Sequence, residues 1–303
     1  MVFLVTQWLA MSSEHSVPDF LYGTAWKENR TAALTELALR AGFRAIDTAN
    51  QRKHYHEAGV GEGLAAAYRA GIVTRADLFL QTKFTYQRGQ DHRLPYDPAA
   101  PLAIQVAQSL ASSLEHLGTD HVDSYVLHGP SGYDWSEADA EVWEAMRKER
   151  DAGRTRLLGV SNVSLQHLEQ MAGAGSESSS ESSPEFPAFV QNRCFARTGW
   201  DREVRAFCDQ HKITYQGFSL LTANPEVLQH PPLIALAARL NVGETQVGET
   251  HATPAQLVFS FARAVGMLPL TGTSSAAHMK EDLASLNLKL PPELVQAIES
   301  IAG

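Results

Sequence analysis

The stretch Gly42-Phe-Arg-Ala-Ile-Asp-Thr-Ala-Asn-Gln-Arg-Lys-His-Tyr-His-Glu-Ala-Gly-Val-Gly61 decides how this chain folds. Gly42 stops a helical run, Phe43 to Ile46 is a short apolar strand, and Asp47 stands where that strand ends. A polar loop holding Lys53, His54, Tyr55, His56 and Glu57 follows, and a second helix starts near Glu57. An ionisable residue at the C-terminal end of a strand, followed by a loop rich in proton carriers, is where an α/β enzyme places its chemistry. Two later strands end in the same way, one with Lys83 and one with His128.

Outward from this stretch, short apolar runs alternate with segments of helical spacing. The runs are Phe20 to Gly23, Phe43 to Asp47, Leu78 to Lys83, Val122 to His128, Leu157 to Asn162, Phe189 to Asn192, Ile213 to Ser219 and Met267 to Leu270. Each is followed by a helical segment, often closed by glycine. Eight such units in 303 residues predict parallel strands with right-handed crossovers, and fit a single (β/α)8 TIM barrel better than a doubly wound sheet. No Gly-x-Gly-x-x-Gly turn follows the first strand. Gly61 and Gly63 instead suit close helix packing. The barrel is expected over 18–303, preceded by a loosely held arm over 1–17 and interrupted by a mobile Ser/Glu-rich insertion at about 172–187. The tandem Val242-Gly-Glu-Thr and Val247-Gly-Glu-Thr reads as a lengthened turn.

The composition is that of an ordinary soluble protein, 44% apolar and 19% charged. Twenty-five basic against 34 acidic residues leave a net charge of −9, which argues against nucleic acid as a partner. Cys194 and Cys208 form no CxxC pair and read as reduced thiols of a cytoplasmic protein. Residues 1–11 are apolar but lack the charged start and cleavage site of a signal peptide. No run approaches the ~20 apolar residues that span a membrane.

In a barrel the second, third and fourth strands deliver Asp47, Lys83 and His128 to neighbouring positions on one rim, and the loop after the second strand brings Tyr55 over them. Singly, each is unremarkable: a helix-capping Asp, a surface Lys, a stacked Tyr, a core His. Together they suit donation of a proton to a carbonyl oxygen. A free tyrosine, with a pKa of about 10, is a poor acid at neutral pH. A nearby lysine ammonium is expected to lower that value, with Asp47 holding the lysine charged and His128 orienting the oxygen.

These residues resemble the aldo-keto reductases. The resemblance is carried by Phe43-Arg-Ala-Ile-Asp-Thr-Ala49, Tyr55 with Glu57 and Val60-Gly61, Gln81-Thr-Lys83, Asp123-Ser-Tyr-Val-Leu-His128 and Gly159-Val-Ser-Asn162. Gln191-Asn192, Thr271-Gly-Thr-Ser274 and Glu281-Asp-Leu283 extend it to roughly residues 20–300. It implies reduction of an aldehyde or ketone by NAD(P)H without metal or flavin, with Tyr55 as the general acid, Asp47 and Lys83 tuning it and His128 orienting the carbonyl. It further implies that Ser161, Asn162 and Gln191 bind the nicotinamide carboxamide and that Phe218 stacks on its ring. Ser219 and Leu220 then follow the pyrophosphate. Gly272, Thr273, Ser274 and His278 surround the adenosine phosphate, and Asp282 lies near the adenine. Thr24 and Trp26 wall the nicotinamide and substrate, with Phe84 also expected at the substrate.

Three departures from the family pattern stand out. The gap from Asp47 to Tyr55 is long, so that loop must bulge. The lysine and arginine that usually hold the 2′-phosphate of NADPH fall here on Gly272 and His278, with Thr273, Ser274, His278 and Lys280 as partial substitutes; family habit still points to NADPH over NADH. The tail after Asp282 is short beside that of many relatives, which implies a more open pocket and gives the loop over 84–101 more weight in selectivity. The alternatives to a carbonyl reductase are a cofactor-holding regulatory subunit with slow turnover, similar to potassium-channel β-subunits, and a barrel lyase using Lys83 as a Schiff base. The expected partners are a small carbonyl substrate and at most a second copy of the chain, with neither nucleic acid nor membrane.

Overall fold

The computed structural model describes residues 17–174, 186–245 and 248–301. Its strands in chain order are β1 (Leu21–Gly23), β2 (Ala45–Asp47), β3 (Phe79–Phe84), β4 (Val122–Leu127), β5 (Thr155–Ser161), β6 (Phe189–Arg193), β7 (Thr214–Phe218), β8 (Asn241–Thr245), β9 (Gly248–His251) and β10 (Met267–Thr271). The helices are α1 (Thr31–Ala41), α2 (Glu57–Arg69), α3 (Leu102–Leu117), α4 (Glu137–Asp151), α5 (Leu165–Ala174) and α6 (Arg202–Gln210), then α7 (Pro225–Leu228), α8 (Pro231–Ala237), α9 (Pro254–Ala264), α10 (Ala276–Ala284) and α11 (Pro292–Glu299). Eight strands close into a parallel barrel in the order β1-β10-β7-β6-β5-β4-β3-β2. The expected (β/α)8 TIM barrel is therefore the fold. The arm over 1–16 and the insertion over 175–185 lie outside the described residues.

The strand period of two sorts the barrel into layers. Leu21, Ala45, Phe79, Phe189 and Leu268 form a small apolar cluster of their own, apart from the large core between strands and helices. Two residues further along three of these strands stand Asp47, Gln81 and Gln191, all buried. A plug of apolar side chains thus floors the lumen, and a polar layer lies directly above it, toward the C-terminal strand ends.

Outside residues 246 and 247, which are not described, the tandem Val-Gly-Glu-Thr stretch lies in two short strands. They pair with each other as an antiparallel ribbon, β8 with β9, with Glu244 opposite Glu249. The ribbon is a separate two-stranded sheet and leaves the barrel order untouched.

Gly61 and Gly63 hold α2 tightly against its neighbours. A Cβ added at Gly61 would stand 1.9 Å from the His116 carbonyl oxygen of α3, and one at Gly63 would stand 2.5 Å from the Ala32 carbonyl of α1. Both obstacles are backbone, so neither can swing aside. Gly61→Ala is expected to lower unfolding stability by about 1–3 kcal/mol, despite the better helix propensity of alanine. Chemical denaturation checks this; an unchanged or raised midpoint would show that the α2–α3 approach is not tight.

Candidate active site

The C-terminal rim of the barrel gathers the polar strand ends. Asp47 closes β2, Lys83 is the penultimate residue of β3, and His128 follows β4. Lys83 is fully buried, and its ammonium donates to Asp47 Oδ1 at 2.6 Å and to the Thr48 carbonyl at 2.8 Å. Burial lowers the lysine pKa from its usual value, and the Asp47 charge opposes that shift. Asp47 Oδ1 also accepts from Gln81 Nε2 at 2.7 Å and from Gln191 Nε2 at 3.0 Å. Gln216 Oε1 accepts from the same two amides, at 2.8 Å and 2.9 Å, and Gln216 Nε2 donates back to Gln81 Oε1 at 3.0 Å. Three glutamines from β3, β6 and β7 thus aim two amide groups at one carboxylate oxygen.

The long step from Asp47 to Tyr55 is taken up by a tight turn. The Gln51 carbonyl accepts from both His54 N–H at 3.2 Å and Tyr55 N–H at 3.0 Å, which swings the tyrosine back over the rim. The loop over 84–101 braces this turn: Gln51 Nε2 donates to the Gly89 carbonyl at 2.7 Å and Gln90 Nε2 to the Asn50 carbonyl at 2.8 Å. Arg88 in turn donates to the carbonyls of Pro130 and Ser131, tying this loop to the one after β4. The Tyr55 ring centroid lies 5.9 Å from that of His128, edge to face, and 5.5 Å from Lys83 Nζ. Asp47, Tyr55, Lys83 and His128 therefore form one cluster.

The electrostatics differ from the expectation in one respect. Burial first, then the Asp47 charge, push the Tyr55 hydroxyl above its usual value, and the Arg193 guanidinium only partly offsets them. The Lys83 ammonium, 5.5 Å from the ring and already met by Asp47, does not outweigh them. A phenol held in this way keeps its proton across the neutral range, which is the state a proton donor needs. His128 is driven the other way, down to about 3, by burial and then by Lys83 and His54. Its Nδ1 lies 2.7 Å from Thr85 Oγ1; with Thr85 as donor, Nε2 carries the hydrogen and is available to an incoming oxygen.

The remaining rim residues fall into two groups. Ser161 Oγ donates to the Gln191 carbonyl at 2.6 Å, while Asn162, at φ 55°, donates from Nδ2 to the His128 carbonyl at 2.7 Å. Phe218 closes β7 with its ring partly open, and the exposed Arg193 guanidinium lies 5.4 Å from the ring centroid. Ser219 follows at φ 57°. Thr24 is buried, and both its N–H and its hydroxyl donate to the Asp47 carbonyl at 3.0 Å. Trp26 is 67% exposed and its indole lies over His54, with centroids 4.1 Å apart. Gly272, Ser274 and His278 are exposed, with Thr273 partly so.

Four placements depart from the expected contacts. Phe84 is fully buried against Tyr86 and Tyr96, because strand alternation sends it outward once Lys83 points into the lumen. Leu220 is buried and offers no side-chain surface. Asp282 is also buried and accepts from Thr271 Oγ1 at 2.8 Å; burial lifts its carboxyl to about 6. Gln191 has its amide nitrogen already committed to Asp47 and Gln216, so only its oxygen is left for a carboxamide. Gln216, Arg193, Lys27 and Thr85 belong to the rim and were not singled out from sequence. Two glutamines inside short apolar strands were the legible signal for the polar layer.

His128 should not titrate near the ordinary histidine value. A folded-state pKa depressed to about 3 means that its ring takes up no proton until well below neutrality. Its ring-proton NMR shift is expected to stay flat between about pH 5 and pH 8, where unperturbed histidines titrate. A midpoint near 6.5 at His128 would contradict this environment.

Known proteins share both sequence and fold with this chain. Residues 21–302 match the Aldo/keto reductase family. Methylglyoxal reductase DkgB of Escherichia coli O157:H7 is 28% identical over 288 residues, covering 94% of this chain and 93% of that protein. An aldo/keto reductase structure from Brucella melitensis superposes with a TM-score of 0.74 at 25% identity, covering 94% and 95% of the two chains. The aldo-keto reductase of Bombyx mori in complex with NADP shares the fold, with a TM-score of 0.73 at 23% identity over 94% and 89% of the chains. With the family matched over nearly its whole length, and the barrel and rim arranged as described, this chain belongs to the aldo/keto reductase family.

Proposed function

We propose that this protein reduces an aldehyde or ketone to the alcohol, using NADPH in preference to NADH. The observation that carries the reading is the packing of Tyr55 between His128, at 5.9 Å, and a Lys83 ammonium bound to Asp47. The rim fits a dinucleotide: Phe218 offers a partly open aromatic face at the end of β7, Ser161 and Asn162 stand at the end of β5 two strands away, and the exposed loop over 272–274 precedes the N-terminus of α10. Reduced nicotinamide bound there supplies the hydride. The protein's own residues do the rest. His128 Nε2–H and the Tyr55 hydroxyl hydrogen-bond the carbonyl oxygen, which fixes its position and draws charge onto it. As the carbon is reduced, the oxygen becomes an alkoxide, a far stronger base than a phenolate, and takes the Tyr55 proton. Lys83 beneath the ring stabilises the phenolate that remains, and Asp47 keeps Lys83 charged.

The 2-oxoaldehyde in the name of the Escherichia coli relative makes methylglyoxal a suitable first substrate. The exposed Trp26 and the His54 ring beside it form the outer wall of the substrate space. A small-molecule carbonyl partner, a monomer or homodimer and a cytoplasmic location accord with this reading. Among the described residues no helix is long and apolar enough to cross a membrane.

Tyr55→Phe removes the hydroxyl that carries the transferable proton and leaves the ring. We expect turnover to fall by roughly 10²–10⁴-fold, the usual range for a general acid, with the dissociation constant for NADPH close to wild type. Steady-state reduction and fluorescence titration measure the two. A variant that keeps most of its turnover would assign the proton to another group.

A further inference from the structure

The loop after β10 lacks the cations that an adenosine phosphate calls for, since Gly272 and His278 stand in their places. The structure brings a cation to the same spot by another route. Lys27 leaves the loop between β1 and α1, is only 5% exposed, and donates from Nζ to the Gly272 carbonyl. A Cβ added at Gly272 would stand 3.8 Å from Lys27 Nζ. The ammonium thus lies in van der Waals contact with the place where the side chain of residue 272 would begin. Tyr22 supports it from below: its ring centroid lies 5.4 Å from Nζ, and its hydroxyl donates to the Thr273 carbonyl at 3.0 Å.

An ammonium taken out of water needs an anion nearby. Among the described residues Lys27 forms no ion pair, and the adjacent Glu28 faces Arg52 at 3.6 Å instead. Arg30 adds a second positive charge to the neighbourhood. Burial, followed by Arg30, brings the Lys27 ammonium down to about 8. On the anion's side stand the hydroxyls of Thr273 and Ser274 and the N-terminus of α10, capped by Ser275. Glu28 is turned to Arg52 and Asp282 to the Thr271 hydroxyl, so neither carboxylate pairs with the buried ammonium.

We propose that Lys27 is the phosphate-binding cation of the dinucleotide site, and that it does from the first strand's loop what Gly272 cannot do from the last. The proposal rests on the reductase reading above. Two phosphates of the cofactor have the right chemistry, the 2′-phosphate of the adenosine and the diphosphate bridge. NADPH carries both and NADH only the second, so the pair of dinucleotides tells them apart.

The test is fluorescence titration of the full chain with NADPH and NADH, with thermal unfolding as the control for folding. Lys27→Met is expected to weaken NADPH binding by about tenfold or more, the effect of losing one charge-assisted hydrogen bond. A loss confined to NADPH assigns the 2′-phosphate; equal losses for both assign the bridge. Lys27→Arg should retain most of the affinity. Unchanged constants for both dinucleotides in folded Lys27→Met would overturn the proposal while leaving the reductase reading intact. A wild-type protein that binds neither dinucleotide would remove both.

Discussion

A buried ammonium cannot stand alone, and the rim of this barrel is built to satisfy one. Lys83 is fully buried, and its charge is met by Asp47 at 2.6 Å and by the Thr48 carbonyl. Asp47 in turn is held by two amides that Gln216 orients. This network draws on β2, β3, β6 and β7, so it links the two sides of the barrel at one level. Its parts are interdependent. Removing one member of a buried charged pair costs roughly 3–5 kcal/mol, because the other is left without compensation. The site and the closure of the lumen therefore share the same side chains.

The layers explain why the charge sits where it does. The apolar cluster of Leu21, Ala45, Phe79, Phe189 and Leu268 excludes water from the lower lumen. Directly above it the strand period delivers Asp47, Gln81 and Gln191, and one step further Lys83. Water has little access from below, so Tyr55 and His128 meet a medium in which charge is costly. That medium holds the phenol protonated and the imidazole neutral, the two states in which each can donate to a carbonyl oxygen. The loops complete the arrangement: Gln51, Gln90 and Arg88 fasten the Tyr55 turn and the loops after β3 and β4 to one another.

Much of this was legible in the sequence, and the reason is periodicity. Eight strand-like runs, each followed by a helical segment, predict a barrel without reference to any relative. Strand ends at Asp47, Lys83 and His128 predict a shared rim. Where the structure differs from the sequence expectation, the causes are physical. Phe84 looked like a substrate contact from its position at a strand end, but its facing is set by Lys83 next to it. The expected lowering of the Tyr55 pKa overlooked burial and the competition of Asp47 for the lysine charge. Lys27 was invisible because it acts across 245 residues of sequence, at a carbonyl rather than at a motif. Gln216 went unnoticed because a single glutamine in an apolar strand carries no signal until its partners on β3 and β6 are placed.

The central proposal is that reduced nicotinamide held at this rim would supply a hydride to a carbonyl carbon while Tyr55 gives a proton to its oxygen. Incubation of the protein with NADPH deuterated at the nicotinamide C4, together with methylglyoxal and a panel of other aldehydes and ketones, tests it most directly. Mass and NMR analysis of the product alcohol should find deuterium on the carbinol carbon in the wild type and almost none in Tyr55→Phe over the same time. Folded protein that binds NADPH yet transfers no deuterium to any carbonyl of the panel would contradict the account.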